Sequence, residues 1–251
     1  MRKREDLHPA EIIDTKYSRF LTFPSAEAES EAQSRIQELL AIGVSKIRFE
    51  GSTLIDGIPV LGKGCVGIVV HAYVNAIPVA LKIRRLDSDR PSLFEEGRLL
   101  RLANSVDVGP RLFAVTRNFL VMELISGLPL FRWVDRSRNP IQIRIVLRGL
   151  LRDCFKLDMI GLDHGELSHA PRNVLVNLRG KGCIVDFESA STSRRVANVT
   201  SLIQYFLFGQ LAMKIGSKLY KNKRTVLKAL SSYKQDGSVS NFDAILETLR
   251  L

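Results

Sequence analysis

The sequence is poor in the residues that build disulfide frameworks and metal knots. Its 251 residues hold three cysteines (Cys65, Cys154, Cys183), four histidines and one tryptophan. No CxxC pair occurs, so neither a disulfide scaffold nor a cysteine-rich zinc site is expected, and a reducing, cytoplasmic setting is. Long apolar runs are also missing. The best candidate, Leu202 to Ile215, is interrupted by Gln204, Gln210 and Lys214. It falls short of the roughly 20 residues a bilayer requires, so a buried helix and no membrane partner are expected. Met1-Arg2-Lys3-Arg4-Glu5-Asp6 leads into polar residues rather than an apolar core, and no secretory leader is expected. Internal repeats and low-complexity tracts are absent. What is present is ordinary globular composition, 45% hydrophobic and 25% charged, enough to bury a core in one compact domain or two lobes.

The net charge of +11 is unevenly placed. Residues 1–130 carry 17 basic and 16 acidic side chains, net +1, and residues 131–251 carry 20 and 10, net +10. Such a field raises encounter rates with RNA, DNA or an acidic protein; it equally keeps a basic surface soluble. The run from Lys214 to Lys228 holds six basic residues and no acid, but no RRM, KH or zinc signature accompanies it.

Patterning suggests an N-terminal arm over residues 1–24, loosely attached, then a helix over 25–42. Ser25 suits its cap, Glu27, Glu29 and Glu31 its first turn, and Gly43 its stop. Lys46 to Glu50 alternates as a strand. From Ile58 to Ile83 the β-branched residues predict strand, glycine turn, strand, turn near Asn75, strand. Ser92 to Ala103 reads as a helix, Phe119 to Ile125 as an apolar strand, and Ile141 to Ile160 as a long helix. On that helix Arg144, Arg148, Arg152 and Lys156 form a stripe that reads as a solvated face. Val174-Leu175-Val176 and Cys183-Ile184-Val185 read as short strands, and helices are expected near 198–216, 221–233 and 240–250.

Three segments carry chemistry. Gly62-Lys63-Gly64-Cys65-Val66-Gly67-Ile68-Val69 is a glycine-rich loop leading into a second strand, not into a helix as a dinucleotide-binding loop would. Such a hairpin lets backbone approach phosphates closely. Val79-Ala80-Leu81-Lys82-Ile83 places a lysine on a buried strand, where it needs an anionic partner. Helical spacing offers two: Glu96, sharing a face with Leu100 and Ala103, and Glu95, sharing one with Leu99 and Leu102. The third segment is acidic, Ile184-Val185-Asp186-Phe187-Glu188.

In this order the segments resemble the protein-kinase-like superfamily, and within it the compact atypical microbial serine/threonine kinases grouped with RIO-type enzymes and the small kinase of the KEOPS complex. The resemblance runs from about Gly62 to Ala190. It implies an α+β, two-lobed fold: an arm and helix over 1–45, a small, mainly β N-lobe with one helix over 46–125, and a larger helical C-lobe over 126–251. It implies ATP and Mg²⁺ or Mn²⁺ as cofactors and γ-phosphoryl transfer to a serine or threonine of a protein. Gly62, Gly64, Gly67, Val69, Ala80 and Met122 would line the nucleotide, with backbone from Glu123 to Ile125 meeting adenine. Lys82 would hold phosphates, and the run from Glu96 to Ala103 favours Glu96 as its partner over Glu95. The segment from Asp163 to Val176 resembles the catalytic loop, with Glu166 as catalytic carboxylate, His164 structural, and Asn173 and Asp186 on the metal.

Two departures stand out. Glu166 replaces the usual aspartate and reaches about 1.5 Å farther. From Glu166 to Asn173 is seven positions (173 − 166), against about five in the template. No Ala-Pro-Glu segment follows Asp186, so a folded protein, a chain terminus or a small molecule suits the acceptor role better than an extended peptide. Rival readings are a pseudokinase or ATPase-type assembly factor, and a small-molecule phosphotransferase.

Overall fold

The computed structural model describes residues 6–25, 28–137, 139–169, 173–208, 212, 214 and 222–251. The protein is mixed α+β, with antiparallel sheets. The chain divides into two compact units, one formed by Met1–Arg98 and Arg111–Leu124, the other by Leu99–Pro110 and Ile125–Leu251.

The first unit is organised by an antiparallel sheet. Strands β1 (Asp6–Leu7) and β2 (Val44–Arg48) lead to β6 (Gly67–Val74), β7 (Ile77–Arg84), β9 (Phe119–Glu123) and β8 (Leu112–Val115), in the order β1-β2-β6-β7-β9-β8. The short β5 (Gly62–Lys63) also pairs with β6. A separate hairpin, β3 (Thr53–Ile55) and β4 (Ile58–Val60), turns at Asp56-Gly57, both at positive φ. That Asp-Gly pair is a hairpin signal absent from the expected strand list. The β6–β7 turn is made the same way by Asn75 and Ala76, with φ of 49° and 65°.

Register explains why these strands pack. Ile68, Val70 and Ala72 stand across from Ile83, Leu81 and Val79, and Val121 and Phe119 continue the row, so one face is wholly apolar. Onto that core come Ile36 and Leu39 of α1 (Glu29–Ala41) and, from the arm, Ile12, Tyr17, Phe20 and Leu21. The arm is therefore packed and strand-paired from Asp6 onward, not loosely attached; its scattered aromatics are core residues. Helix α1 starts at Glu29 behind Ala28, with no side-chain cap. Ser25 instead closes the preceding turn, where its carbonyl accepts from the Thr22 hydroxyl at 2.7 Å. Glu27 and the arm's first five residues lie outside the described residues.

Buried Arg35 ties arm, helix and sheet together. Its guanidinium donates to the carbonyls of Leu21 and Arg84, both at 2.6 Å, to Asn118 Oδ1 at 2.9 Å and to Glu31 at 2.8 Å. Asn118 is held in turn by both oxygens of Glu38.

Helix α2 (Phe94–Asn104) contains the boundary between the units. The second unit has a three-stranded sheet, β10 (Gly127–Pro129), β11 (Val174–Asn177) and β12 (Gly182–Ile184), in that order. Among the described residues its α-helices include α3 (Leu130–Arg136), α4 (Pro140–Met159), α5 (Asn198–Phe208), α6 (Lys223–Gln235) and α7 (Val239–Thr248). Asn139 caps α4, whose Val146, Leu147, Leu150, Leu151, Cys154 and Leu157 are buried while Arg148, Arg152 and Lys156 are exposed. Residues 209–211, 213 and 215–221, which hold the end of the helix expected over 198–216 and Lys218 and Lys221 of the basic run, lie outside the described residues. No helix among the described residues is long and apolar enough to cross a membrane.

Candidate functional site

In the first unit six of the expected nucleotide residues fall on one sheet face. Val69 stands opposite Lys82, Lys82 opposite Leu120 and Ala80 opposite Met122, while Gly62 pairs with Val69. Because side chains alternate along a strand, Val69, Ala80, Lys82 and Met122 project from the face opposite the apolar core, and Gly62 and Gly67 belong to the same face. Glu123 pairs with Val79 and so points the other way; its carboxylate accepts from the Arg111 amide at 3.3 Å. Ile125 belongs to the second unit.

Lys82 Nζ donates to Glu96 Oε1 at 2.8 Å, with the two side chains 3% and 8% exposed. Glu95 instead makes a forked bond to Arg98 on the exposed side of α2. The periodicity that left both candidates open is resolved by which face turns toward β7. Gly67 is required by this pair: a Cβ there would come within 2.9 Å of Lys82 Cγ and of the Ile83 carbonyl. The glycine turn itself is closed by the Gly64 amide donating to the Gly67 carbonyl at 2.8 Å.

In the second unit the β11–β12 hairpin does the positioning. Val174 pairs with Ile184, and the Val185 amide donates to the Asn173 carbonyl at 2.9 Å. Asn173 and Asp186 therefore sit at adjacent exits of the hairpin. Asp186 adopts φ of 68°, a left-handed conformation costing a non-glycine residue about 1–2 kcal/mol. Strain of this kind concentrates at functional sites.

Asn173 Nδ2 donates to Glu166 Oε2 at 3.1 Å, and Ser189 Oγ donates to Glu166 Oε1 at 2.5 Å. With its nitrogen committed to Glu166, the Asn173 amide is oriented to offer Oδ1 as a ligand. One carboxylate plus one amide oxygen suits a hard cation of the Mg²⁺ kind, which takes few protein ligands and completes its shell with water and phosphate oxygens. No group of three or more His, Cys, Asp or Glu suited to a metal occurs among the described residues.

His164 is wholly buried. Its Nε2–H donates to the Val185 carbonyl at 3.1 Å, its ring meets Phe187 edge-on at 5.0 Å, and its backbone amide donates to Asn198. Burial pushes its pKa down, so the neutral ring buttresses the strand end that carries Asp186. Gly165 follows at φ of 88°, where any Cβ would collide with the Arg194 guanidinium and the Ser189 carbonyl.

Sequence reading missed three supports: Ser189, the Asp163–Arg194 pair at 2.9 Å, and Asn198. Asp163 also pairs backbone-to-backbone with Ser191 and accepts from the Ala197 amide, fixing the short segment after Asp186. No local pattern marks these residues; only the fold brings them to the loop. Residues 170–172, inside the expected catalytic loop, lie outside the described residues. The sequence matches no known family model and no curated protein.

Proposed function

We propose that this chain is an ATP-dependent serine/threonine protein kinase with a two-lobed protein-kinase-like fold. The observation that carries the reading is the buried Lys82–Glu96 pair on the sheet face shared by Gly62, Gly67, Val69 and Ala80. A buried ammonium fixed by a carboxylate beside a glycine turn suits the holding of nucleotide phosphates. Lys82 would orient the α- and β-phosphates, and Asp186 and Asn173 would hold Mg²⁺ or Mn²⁺. The ion supplies neutralisation of the charge that develops on the transferring phosphoryl group. Glu166 would accept the proton of a serine or threonine hydroxyl as its oxygen bonds to the γ-phosphorus. The bond to the β–γ bridging oxygen breaks and ADP leaves.

A second reading is favoured by one observation: both Glu166 oxygens are engaged, by Asn173 and Ser189. That arrangement also fits a protein that binds ATP, or hydrolyses it, without phosphorylating another protein. The readings separate in one assay. The chain is incubated with γ-labelled ATP, Mg²⁺ or Mn²⁺ and a test protein acceptor, beside Asp186→Ala and Glu166→Ala. Label in protein that disappears in both variants supports the kinase, and free phosphate alone supports the ATPase. Nucleotide binding with neither product supports a pseudokinase, and absence of nucleotide binding sinks all three.

A further inference from the structure

The glycine turn is not self-supporting. Arg85, three residues beyond Lys82, reaches it twice: its backbone amide donates to the Val66 carbonyl at 2.8 Å, and its Nη1 donates to the Gly64 carbonyl at 2.9 Å. In a planar trans peptide the N–H points opposite to the carbonyl. Pulling the Gly64 and Val66 carbonyls toward Arg85 therefore turns the Cys65 and Gly67 N–H groups away from it. Two backbone amides aimed outward from one glycine turn offer donors to an anion.

Arg85 is itself held in plane. Its Nε and Nη2 grip Asp87 at 2.8 and 2.6 Å, and its guanidinium carbon lies 5.3 Å from the Phe23 ring centre. The same ring has Lys63 Nζ at 4.6 Å. Phe23 thus touches cations from both sides of the turn, Lys63 on β5 before it and Arg85 beyond the end of β7. The main chain beneath the ring is held, because the Phe23 carbonyl accepts from the Leu86 amide at 2.8 Å and the arm is anchored at Leu21 by Arg35, and the ring packs against the apolar core.

We infer that the N-terminal arm, through Phe23 acting on Arg85 and Lys63, holds the glycine turn in its anion-accepting shape. This makes Phe23 and Arg85 positioning residues for the triphosphate. The inference rests on the nucleotide reading for its ligand, but the holding of the turn is measurable without any ligand.

The test compares wild type with Phe23→Leu, Phe23→Tyr and Arg85→Lys. Leucine keeps apolar volume for folding and removes the ring face, tyrosine keeps the face, and lysine keeps the charge but loses the fork. Amide hydrogen exchange over residues 62–67 is measured on the free protein, and affinity for MgATP by displacement of a fluorescent ATP analogue. Phe23→Leu and Arg85→Lys are expected to speed exchange in the turn and weaken MgATP binding about tenfold, the first through the loss of two cation–π contacts and the second through the loss of the Asp87 fork and the bond to the Gly64 carbonyl. KM for ATP should rise with kcat within about twofold, and Phe23→Tyr should match wild type. Unchanged exchange in the turn of Phe23→Leu overturns the inference, as does equal loss in leucine and tyrosine variants. Wild type that fails to bind MgATP would refute the nucleotide reading, while the exchange data still decide whether the arm holds the turn.

Discussion

Lys82 Nζ and Glu96 Oε1 lie 2.8 Å apart with their side chains almost wholly withdrawn from water. A pair so placed contributes little net stability, because desolvating both charges offsets most of their attraction, but breaking it is costly. Lys82→Met leaves the Glu96 carboxylate buried without its ammonium and should destabilise the protein by about 3 kcal/mol. That corresponds to a fall in Tm of roughly 6–12 °C at this size. The double variant Lys82→Met with Glu96→Leu should recover most of that stability and none of the phosphotransfer. Calorimetry and the labelled-ATP assay on all three proteins separate the two effects. Transfer activity in the double variant would remove Lys82 from the phosphates.

The buried Arg35 network gives a second expectation. Arg35→Met leaves the Leu21 and Arg84 carbonyls without the Arg35 donor, while Asn118 Oδ1 keeps only Arg84 Nε at 3.0 Å. Each unsatisfied buried acceptor costs about 1–3 kcal/mol, so a total loss near 3–5 kcal/mol is expected. The denaturant midpoint should fall without a change in slope. A loss under about 1 kcal/mol would mean the network is incidental.

How much of this was legible in the sequence depends on the range of the interaction involved. The β6–β7 hairpin and α4 announce themselves because their burial follows a local period, two along Ile68-Val69-Val70 and 3.6 along Ile143 to Leu157. The arm did not, because Ile12, Tyr17, Phe20 and Leu21 follow no period and are buried only by strands that come later in the chain. The Ser25 cap failed for the opposite reason: a strictly local turn, in which both the amide and the carbonyl of Ser25 bond to Thr22, takes up the residue before α1 begins at Glu29. In the candidate site, Lys82, Glu166, Asn173 and Asp186 stood out by type and order. Ser189, Asp163 and Arg85 did not, since each acts through a partner set by the fold.

Asp153 supplies a pH dependence. Burial is the largest influence on it, opposed by Lys156 and Lys181, and its pKa is pushed up to about 6. An unfolded aspartate titrates near 3.9, so between about pH 4 and 6 the folded state holds more protons than the unfolded one. Stability carried by this group therefore declines as pH rises through that window and stays low at pH 7. Asp153→Asn should raise Tm at pH 7, by an amount worth up to about 2–3 kcal/mol, and the gain should shrink to nothing below about pH 4. Thermal scans of both proteins at pH 4, 5, 6 and 7 check the trend; a gain independent of pH would assign the effect to something other than the charge.

The β6–β7 turn carries its own strain. Asn75 and Ala76 both occupy the left-handed region, as a two-residue hairpin of this twist requires. Asparagine tolerates that conformation, but alanine there pays about 1–2 kcal/mol through its Cβ. Ala76 is exposed, so its methyl group contributes little packing to set against the strain. Ala76→Gly removes the Cβ and gives back part of the gain as extra freedom in the unfolded chain, about 0.5–1 kcal/mol. The net expectation is a stabilisation near 0.5–1 kcal/mol, or a rise in Tm of roughly 1–4 °C. Nucleotide binding should be unchanged, since the turn lies at the opposite end of β6 from Gly67. A lower Tm in Ala76→Gly would mean that residue 76 is not strained in the native state, and the left-handed geometry of this turn would have to be abandoned.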